Sequence, residues 1–386
     1  MAQLNIPLEK FGSIRTPFYF YDVALLKETL SEVARLEKAH HFDVHYAVKA
    51  NVNDRILEII NEAGLGADCV SGNEVSRVIG IGFPSEKVVF AGVGKTDREI
   101  ETALSHNIFG FNCESIQEVQ VINSIALNNN KRANVSIRIN PNVDAKTHKH
   151  ITTGLEENKF GINLTDLDAV LEVIKASKGI DFKGLHFHIG SQVTDMSRFL
   201  ELCSRINDVS SLLEQKGIEV EHINAGGGLG IDYHDPHKNC IPNFAEYFNV
   251  FNKNLKLKPG QKLHFELGRA IVGQCGVLVS RVLYEKAGKK KNFLILDAGM
   301  SELMRPALYQ AYHLIGNLTS KSMEQNEYDV VGPICETTDS FGQNILLPKS
   351  SRGDLFAIYS AGAYGQVLSN RYNLRDVPEV IYSDRI

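Results

Sequence analysis

Short apolar runs of strand character alternate with amphipathic stretches of helical length along the first two thirds of the chain. The strand-like runs are rich in β-branched and aromatic residues and lie near residues 44–48, 66–70, 87–91, 108–112, 134–139, 184–189, 219–224 and 263–267. Helical periodicity fills the intervals, as in residues 56–63, 74–81, 97–105, 115–127, 167–177 and 196–215. Eight strands that alternate with helices predict a TIM-like (β/α)8 barrel, with a doubly wound open sheet as the alternative.

The pattern changes after about residue 270, where strand-like runs follow one another without long helices between them. These runs lie near residues 275–284, 292–297, 327–331, 354–360 and 377–382. The N-terminal run 16–22 is also aromatic and strand-like, and its last residue, Asp22, is placed to cap a following helix. We therefore expect a barrel over residues 22–262 and an all-β domain formed by residues 1–21 and 263–386.

The composition excludes several classes of partner. The chain has 386 residues, 43% of them hydrophobic, a net charge of −5 and no basic block, which argues against nucleic acid and anionic membranes. It contains no apolar run of membrane-spanning length, and its N-terminus lacks the pattern of a signal peptide, so we expect a cytoplasmic protein. The six cysteines form no CxxC pair, so neither a metal site nor a disulfide framework is predicted.

Polar residues and glycines gather just after the predicted barrel strands. In a barrel these positions meet on one face, which is where such folds carry out their chemistry. The set comprises Lys49, Asp68, Ser71, Asn112, Glu114, Arg138, His188, Ser191, Gly226, Gly227, Gly228, Glu266 and Arg269. Lys49 closes the first strand, and a desolvated lysine amine can bond covalently to an aldehyde cofactor. Taken alone, such a lysine is more often a surface residue that ends an edge strand.

The glycine run 226–228 follows the seventh predicted strand. Glycines let backbone amides approach a phosphate, and the loops after strands seven and eight are the usual phosphate site of a barrel. A flexible turn is the alternative, and the run is not a Walker loop, because no Gly-Lys-Ser/Thr follows.

Two further motifs offer groups for a flat cofactor. His186 and His188 share one strand face, and His188 is nearer the strand end, so its ring is the better candidate to stack on a planar ligand. Glu266 is predicted to be a buried carboxylate that can hold a protonated pyridine nitrogen, which keeps such a ring an electron sink. Arg269 has the fork geometry that suits phosphate or carboxylate. A structural salt bridge between Glu266 and Arg269 is the alternative.

Taken together, the segments around these residues resemble the fold-type III pyridoxal-phosphate decarboxylases. That family consists of alanine-racemase-like barrels and includes the ornithine, arginine and diaminopimelate decarboxylases. The resemblance rests on residues 46–51, 188–192, 226–228 and 266–269 and extends over nearly the whole chain. It implies that Lys49 binds pyridoxal 5'-phosphate covalently, that His188 stacks on its ring and that Glu266 holds its nitrogen. It also implies that the phosphate end is held by Ser191, Gly226, Gly227, Gly228, Gly268 and Arg269.

Residues 297–309 resemble the signature of the diaminopimelate decarboxylase branch of this family. The resemblance implies that Arg305 and Tyr309, together with Arg269, bind the distal carboxylate of the substrate. An arginine fork reads a carboxylate through two bonds, so the assignment is chemically sensible. An ornithine decarboxylase binds a distal ammonium instead, and Arg305 would be unsuitable there.

Residues 332–339 resemble the Cys-Glu-Ser-x-Asp segment of the same branch, with Thr337 in place of the usual serine. By this resemblance Cys335 donates the proton to the product, and Glu336 binds the distal ammonium of the substrate. Tyr364 lies in a motif that contacts both cofactor and substrate. The resemblance further implies a homodimer with a shared active site, in which Lys49 of one subunit works with Cys335 and Glu336 of the other.

The resulting expectation is a lyase that converts meso-diaminopimelate to L-lysine and CO2 in the last step of lysine biosynthesis. Three alternatives remain: a related decarboxylase of another D- or basic amino acid or of a carboxylated polyamine, a racemase on the same barrel, and a binding protein that has lost catalysis. The combination of Arg305 with Tyr309 argues against the first. The joint presence of Lys49, Cys335 and Tyr364 argues against the third.

Overall fold

A computed structural model describes residues 3–145 and 159–386 of the chain. Residues 1–2 and 146–158, which fall within the expected β domain and the expected barrel, lie outside the described residues. The chain forms two compact units. One, which we call the barrel unit, contains Leu30–Gly230 and Asn243–Gly268, and the other, the sheet unit, contains Met1–Thr29, Ile231–Pro242 and Arg269–Ile386.

Strand β1 (Phe18–Tyr21) and helix α1 (Val23–His40) come first in the chain, and the strands of the barrel follow. These are β2 (Asp43–Ala47), β3 (Gly66–Cys69), β4 (Val88–Phe90), β5 (Gly110–Cys113), β6 (Ala133–Arg138), β7 (Ile180–His186), β8 (His222–Asn224) and β9 (Lys262–Leu267). Each pairs in parallel with the next, and β2 pairs with β9, so the ring is closed. The prediction of a (β/α)8 barrel is confirmed, and the open-sheet alternative is excluded.

Most helices that follow the barrel strands begin at a capping side chain. These helices are α2 (Asp54–Glu62), α3 (Gly72–Ile81), α4 (Asp97–Ser105), α5 (Ile116–Asn128), α6 (Leu167–Ala176), α7 (Met196–Gln215) and α8 (Phe244–Asn254), and of these only α2 and α6 lack such a cap. The side chains of Ser71 and Ser115 accept from backbone amides of the first turns of α3 and α5. Thr96 and Glu99 form a reciprocal capping box at α4. Such caps satisfy amides that have no partner inside the helix, so they fix where each helix starts.

The boundary expected at residue 262 needs correction. Strand β9 pairs with both β8 and β2, with His45 opposite Glu266, because the barrel needs an eighth strand to close. Residues 263–267 therefore belong to the barrel rather than to the β domain. Conversely, Ile231–Pro242 and the chain up to Thr29 pack within the sheet unit.

The sheet unit contains two short helices, α9 (Arg269–Val272) and α10 (Arg305–Tyr309), and the strands β10 (Gly276–Ala287), β11 (Asn292–Leu296), β12 (Ile315–Asn317), β13 (Gln325–Val331), β14 (Ser340–Pro348), β15 (Leu355–Ile358) and β16 (Glu379–Tyr382). The order is β12-β15-β10-β11-β13-β14, and β1 joins through antiparallel pairing with β10 and parallel pairing with β16. Phe18 and Phe20 of β1 pack on Val277 and Val279 in its core. The expectation that the N-terminal aromatic run joins this β domain is confirmed.

No helix within residues 3–145 and 159–386 combines the length and the apolar composition that a membrane span requires.

Candidate active site

Lys49 lies in a single helical turn, Val48–Ala50, immediately after strand β2. Its Nζ donates to Oδ2 of Asp68, on the neighbouring strand β3, over 2.7 Å. The lysine side chain is 39% exposed, whereas Asp68 is fully buried. Burial and the negative charge of Glu266 raise the pKa of Asp68 to about 6, against the opposing effect of Lys49. The predicted lysine thus stands at a strand end of the barrel, held by a buried carboxylate.

Glu266 lies near the end of β9 and accepts three hydrogen bonds from side chains of other strands. Its Oε1 accepts from Asn112 at 2.9 Å and from Asn224 at 2.8 Å, and its Oε2 accepts from His186 Nε2 at 2.9 Å. Burial alone would raise the pKa of Glu266, but the charge and hydrogen bond of His186, helped by Lys49, hold it well below its ordinary value. The site therefore contains a buried, ionised carboxylate.

His188 follows β7 and is half-buried. Its Nδ1 accepts from the backbone amide of Gly227 at 3.2 Å, so in this arrangement that nitrogen carries no proton. Burial, the Arg138 cation and the Lys49 cation lower the pKa of His188 well below its ordinary value. The structure therefore presents His188 as a neutral ring.

The glycine run lies against the neighbouring strand ends so closely that side chains do not fit. Gly226 and Gly228 have φ values of +70° and +107°, which favour glycine. A Cβ at Gly227 would overlap the backbone carbonyl oxygen of Glu266. The loop is therefore a rigid backbone surface rather than a flexible turn. Gly268 is similarly confined, since its Cβ would lie 3.0 Å from that of Ala50 in the Lys49 turn.

A second buried ion pair lies beside these residues. Arg138 Nη1, at the end of β6, is 2.8 Å from Glu114 Oε1, and the other oxygen of Glu114 accepts from the Gly161 amide at 2.8 Å. Among the described residues, Arg138 Nη2, His186 Nδ1 and Asp68 Oδ1 are buried and have no hydrogen-bond partner. Buried polar atoms are normally paired, so these three atoms are suited to a polar ligand.

In the sheet unit two predicted residues, Arg269 and Arg305, contact Tyr233, which no sequence motif indicated, and a third, Tyr364, contacts Arg269. Arg269 Nη1 donates to the Tyr233 hydroxyl at 2.6 Å, and the Arg305 guanidinium carbon lies 4.8 Å from the centre of the Tyr233 ring. The Arg269 guanidinium carbon lies 4.8 Å from the centre of the Tyr364 ring. Both arginines are buried, and burial lowers the pKa of Arg305. Two guanidinium groups on one aromatic ring form a site for an anion.

Of the remaining predicted residues, Tyr309, Cys335 and Glu336 lie in the sheet unit and Ser191 lies in the barrel unit. Tyr309 is half-buried at the last position of α10, and Ser191 is half-buried in the barrel unit after β7. Cys335 and Glu336 are exposed on the loop between β13 and β14. Glu336 Oε1 accepts from the Tyr372 hydroxyl at 2.7 Å, a contact that no sequence motif indicated.

Comparison with known proteins places this arrangement in a family. The family described as pyridoxal-dependent decarboxylase, pyridoxal binding domain, matches residues 26–273. A diaminopimelate decarboxylase of Bacteroides thetaiotaomicron is 55% identical over 381 residues, which cover 98% of each chain. One of Neisseria meningitidis serogroup B is 42% identical over 368 residues, covering 95% of this chain and 87% of that one.

Solved structures agree with these matches. The crystal structure of diaminopimelate decarboxylase from Helicobacter pylori complexed with L-lysine is 37% identical, covers 97% of this chain and 93% of that one, and superposes with a TM-score of 0.89. The enzyme from M. jannaschii in co-complex with L-lysine is 35% identical, with coverages of 97% and 88% and a TM-score of 0.87. The chain belongs to the pyridoxal-dependent decarboxylases and, within them, to the diaminopimelate decarboxylase family.

Proposed function

We propose that this protein is a pyridoxal-phosphate-dependent decarboxylase that converts meso-diaminopimelate to L-lysine and CO2, the last step of lysine biosynthesis. The observation that carries the substrate assignment is Arg305, a buried cation for which the described residues offer no carboxylate partner. An unpaired buried charge is costly, so this guanidinium is suited to bind a carboxylate of the ligand. L-lysine, the ligand in the two solved relatives, is the product that the proposal requires.

The barrel unit fits the cofactor that the family uses. It offers a lysine amine for the aldehyde, an ionised carboxylate for the ring nitrogen, and buried polar atoms on Asp68, Arg138 and His186 without partners among the described residues. The glycine run supplies a backbone surface that only glycines can form. The chemistry supplied by bound pyridoxal phosphate is an electron sink for the electrons left at Cα when CO2 departs.

We assign the binding of the cofactor to the following residues of this chain. Lys49 would hold the cofactor through its aldehyde, because its amine stands at the strand end beside buried Asp68. Glu266, whose Oε2 lies 2.9 Å from His186 Nε2, would hold a proton on the ring nitrogen of the cofactor. His188 would pack as a neutral ring against the cofactor, and the phosphate end would be held by Ser191, Gly226, Gly227, Gly228, Gly268 and Arg269.

Substrate recognition is assigned to the sheet unit. Arg305, with Tyr309 and Arg269, binds the distal carboxylate, and Tyr364 contacts both cofactor and substrate. Support comes from the Arg269–Tyr233–Arg305 arrangement, which places two cations around one tyrosine.

We assign the final proton transfer and the distal ammonium to a second subunit. The protein acts as a homodimer in which the partner subunit's Cys335 protonates Cα and the partner subunit's Glu336 binds the distal ammonium. Support comes from the exposure of both side chains, and from Tyr372, which holds the Glu336 carboxylate in place. A two-fold axis gives each barrel one such loop.

We also assign the protein to the cytoplasm. All six cysteines are free thiols, and five of them are buried. Free thiols persist in reducing compartments, whereas secreted proteins commonly pair them.

The decisive experiment is CO2 release from meso-diaminopimelate by purified protein with added pyridoxal phosphate. D-lysine, D-ornithine and L-ornithine should be poor substrates, and Arg305→Met should lower kcat/KM for meso-diaminopimelate about 10- to 150-fold, because a hydrogen-bonded charge contact is lost. The matched control is Arg352→Met, since Arg352 is also stacked on a tyrosine, Tyr284, at 4.9 Å in the same unit. Comparable turnover on ornithine would favour the alternative of another basic amino acid, and proton exchange at Cα without CO2 release would favour a racemase.

A further inference from the structure

The Arg305 guanidinium is oriented by a buried histidine rather than by an acidic residue. Arg305 Nη1 lies 2.8 Å from Nε2 of His313, and Nδ1 of His313 lies 2.8 Å from the backbone carbonyl oxygen of Tyr359. Both Arg305 and His313 are buried, at 5% and 1% exposure. All three residues belong to the sheet unit.

The two partners of His313 determine its protonation state. A carbonyl oxygen only accepts, so the Nδ1 atom that faces Tyr359 carries the proton. A guanidinium only donates, so Nε2 accepts from Arg305 and carries none. The ring is therefore the neutral Nδ1–H tautomer. Burial and the nearby Arg305 cation lower the pKa of His313 to about 3, which agrees with this tautomer.

A neutral acceptor affects the arginine differently from a carboxylate. An aspartate or glutamate at this position would accept the same hydrogen bond, but its charge would neutralise the guanidinium. The imidazole fixes the orientation of Arg305 and leaves its positive charge for a ligand. Tyr233 is a second uncharged neighbour that leaves the charge of Arg305 unpaired. Its ring lies 4.8 Å from the Arg305 guanidinium carbon, and its hydroxyl accepts from Arg269. In addition, the His313 and Tyr233 ring centroids lie 5.1 Å apart in an edge-to-face contact.

We propose that His313 is a positioning residue that orients Arg305 without neutralising it and thereby sets the affinity of the site for the distal carboxylate of the substrate. The inference rests on the proposed decarboxylase function for the identity of that substrate. It concerns a residue that contacts the arginine rather than the substrate.

The test compares three substitutions. His313→Glu introduces a carboxylate next to Arg305, His313→Leu removes the acceptor, and His313→Gln keeps a neutral acceptor. His313→Glu and His313→Leu should raise the KM for meso-diaminopimelate about 10- to 100-fold, as expected for a weakened charged contact, with kcat changed much less. His313→Gln should recover most of the affinity. The matched control is His237→Glu, because exposed His237 packs on Tyr359 at 4.6 Å between ring centroids.

A binding measurement separates this inference from the proposed function. Calorimetry with pimelate, a dicarboxylate without amines, and with cadaverine, a diamine without carboxylates, needs no turnover. His313→Glu and His313→Leu should weaken pimelate binding by a similar factor and leave cadaverine binding unchanged. Equal loss of both ligands would indicate structural damage and overturn the inference, as would unchanged pimelate binding. If His313→Glu does not fold, the comparison of His313→Leu with His313→Gln decides alone. Absent CO2 release by the wild-type protein would refute the proposed function without affecting this result.

Discussion

Substitution of Glu266 separates its charge from its role as a hydrogen-bond acceptor. The carboxylate accepts from Asn112 and Asn224 through Oε1 and from His186 through Oε2. In Glu266→Gln, the amide oxygen can still accept from both asparagines. The amide nitrogen then faces His186, whose Nδ1 has no partner among the described residues, so a neutral ring with its proton on Nδ1 can accept through Nε2. In Glu266→Leu the side chain has no acceptor, so Asn112, Asn224 and His186 all lose their hydrogen bonds to residue 266.

The magnitudes follow from counting these bonds. In Glu266→Gln three charge-assisted hydrogen bonds become neutral ones, each weaker by about 1 kcal/mol, and the lower desolvation of an amide offsets part of the loss. We expect the free energy of unfolding of the barrel unit to fall by about 1–3 kcal/mol. Glu266→Leu leaves three buried donors without an acceptor, so the loss should be at least about 4 kcal/mol.

Urea unfolding followed by circular dichroism measures the difference, and Glu221 provides the control. Its carboxylate pairs with Lys183 at 2.8 Å, but the side chain is 61% exposed. Glu221→Gln and Glu221→Leu should each change stability by less than about 0.5 kcal/mol. Glu266→Gln should also lose most of its turnover while it still binds the cofactor, because the ring nitrogen loses its anionic partner. If Glu266→Leu unfolds no earlier than Glu266→Gln, the carboxylate does not hold the three donors as described.

Two further predictions concern assembly and acid stability. Lys49→Ala and Cys335→Ala, each inactive alone, should recover about a quarter of wild-type activity when unfolded and refolded together, because half of randomly mixed dimers are hybrids with one intact site. A mixture without activity would place both residues in one subunit. His45, His264 and His222 form a hydrogen-bonded row with contacts of 3.1 and 3.0 Å, and burial lowers the pKa of all three. The melting temperature should therefore stay constant above the unfolded histidine pKa of about 6.5 and fall below it, and a constant melting temperature down to about pH 5 would contradict this.

The barrel was predictable because its strands are short apolar runs separated by helices of regular length. Strand ends were equally predictable, since parallel strands in a barrel bring their C-terminal residues to one face. This rule identified Lys49, the glycine run and Glu266 as neighbours. The boundary at residue 262 was wrong because it separated the run 263–267, the eighth strand-like run of the predicted barrel, from the other seven, whereas the pairing of β9 with β2 closes the barrel.

The partners of Glu266 were harder to find, although the sequence carries a signal for them. The sequence indicates Asn112 only as a polar strand end, and it favours His188 over His186 as the residue that faces a ligand. The structure shows Asp68, Asn112, His186, Asn224 and Glu266 as buried polar residues on barrel strands. Barrel interiors are normally filled by branched apolar side chains, so polar residues at several strand ends indicate a network. Such a layer of polar residues on neighbouring strands, which no single motif shows, includes His186.

No comparable signal exists for Tyr233 and His313. Arg305 was identified from a local motif, but its acceptor lies eight positions later, beyond Gln310, which ends α10 with a φ of +53°. His313 in turn hydrogen-bonds to the backbone carbonyl oxygen of Tyr359, and a contact with a backbone atom cannot be predicted from the pattern of side chains. A sequence motif can therefore identify the arginine that binds a carboxylate. The uncharged groups that orient this arginine without neutralising it lie on other segments, and only the fold brings them next to it. Motif-based assignment of function therefore misses residues such as His313, which orient a charged binding group by a neutral hydrogen bond and do not pair with its charge.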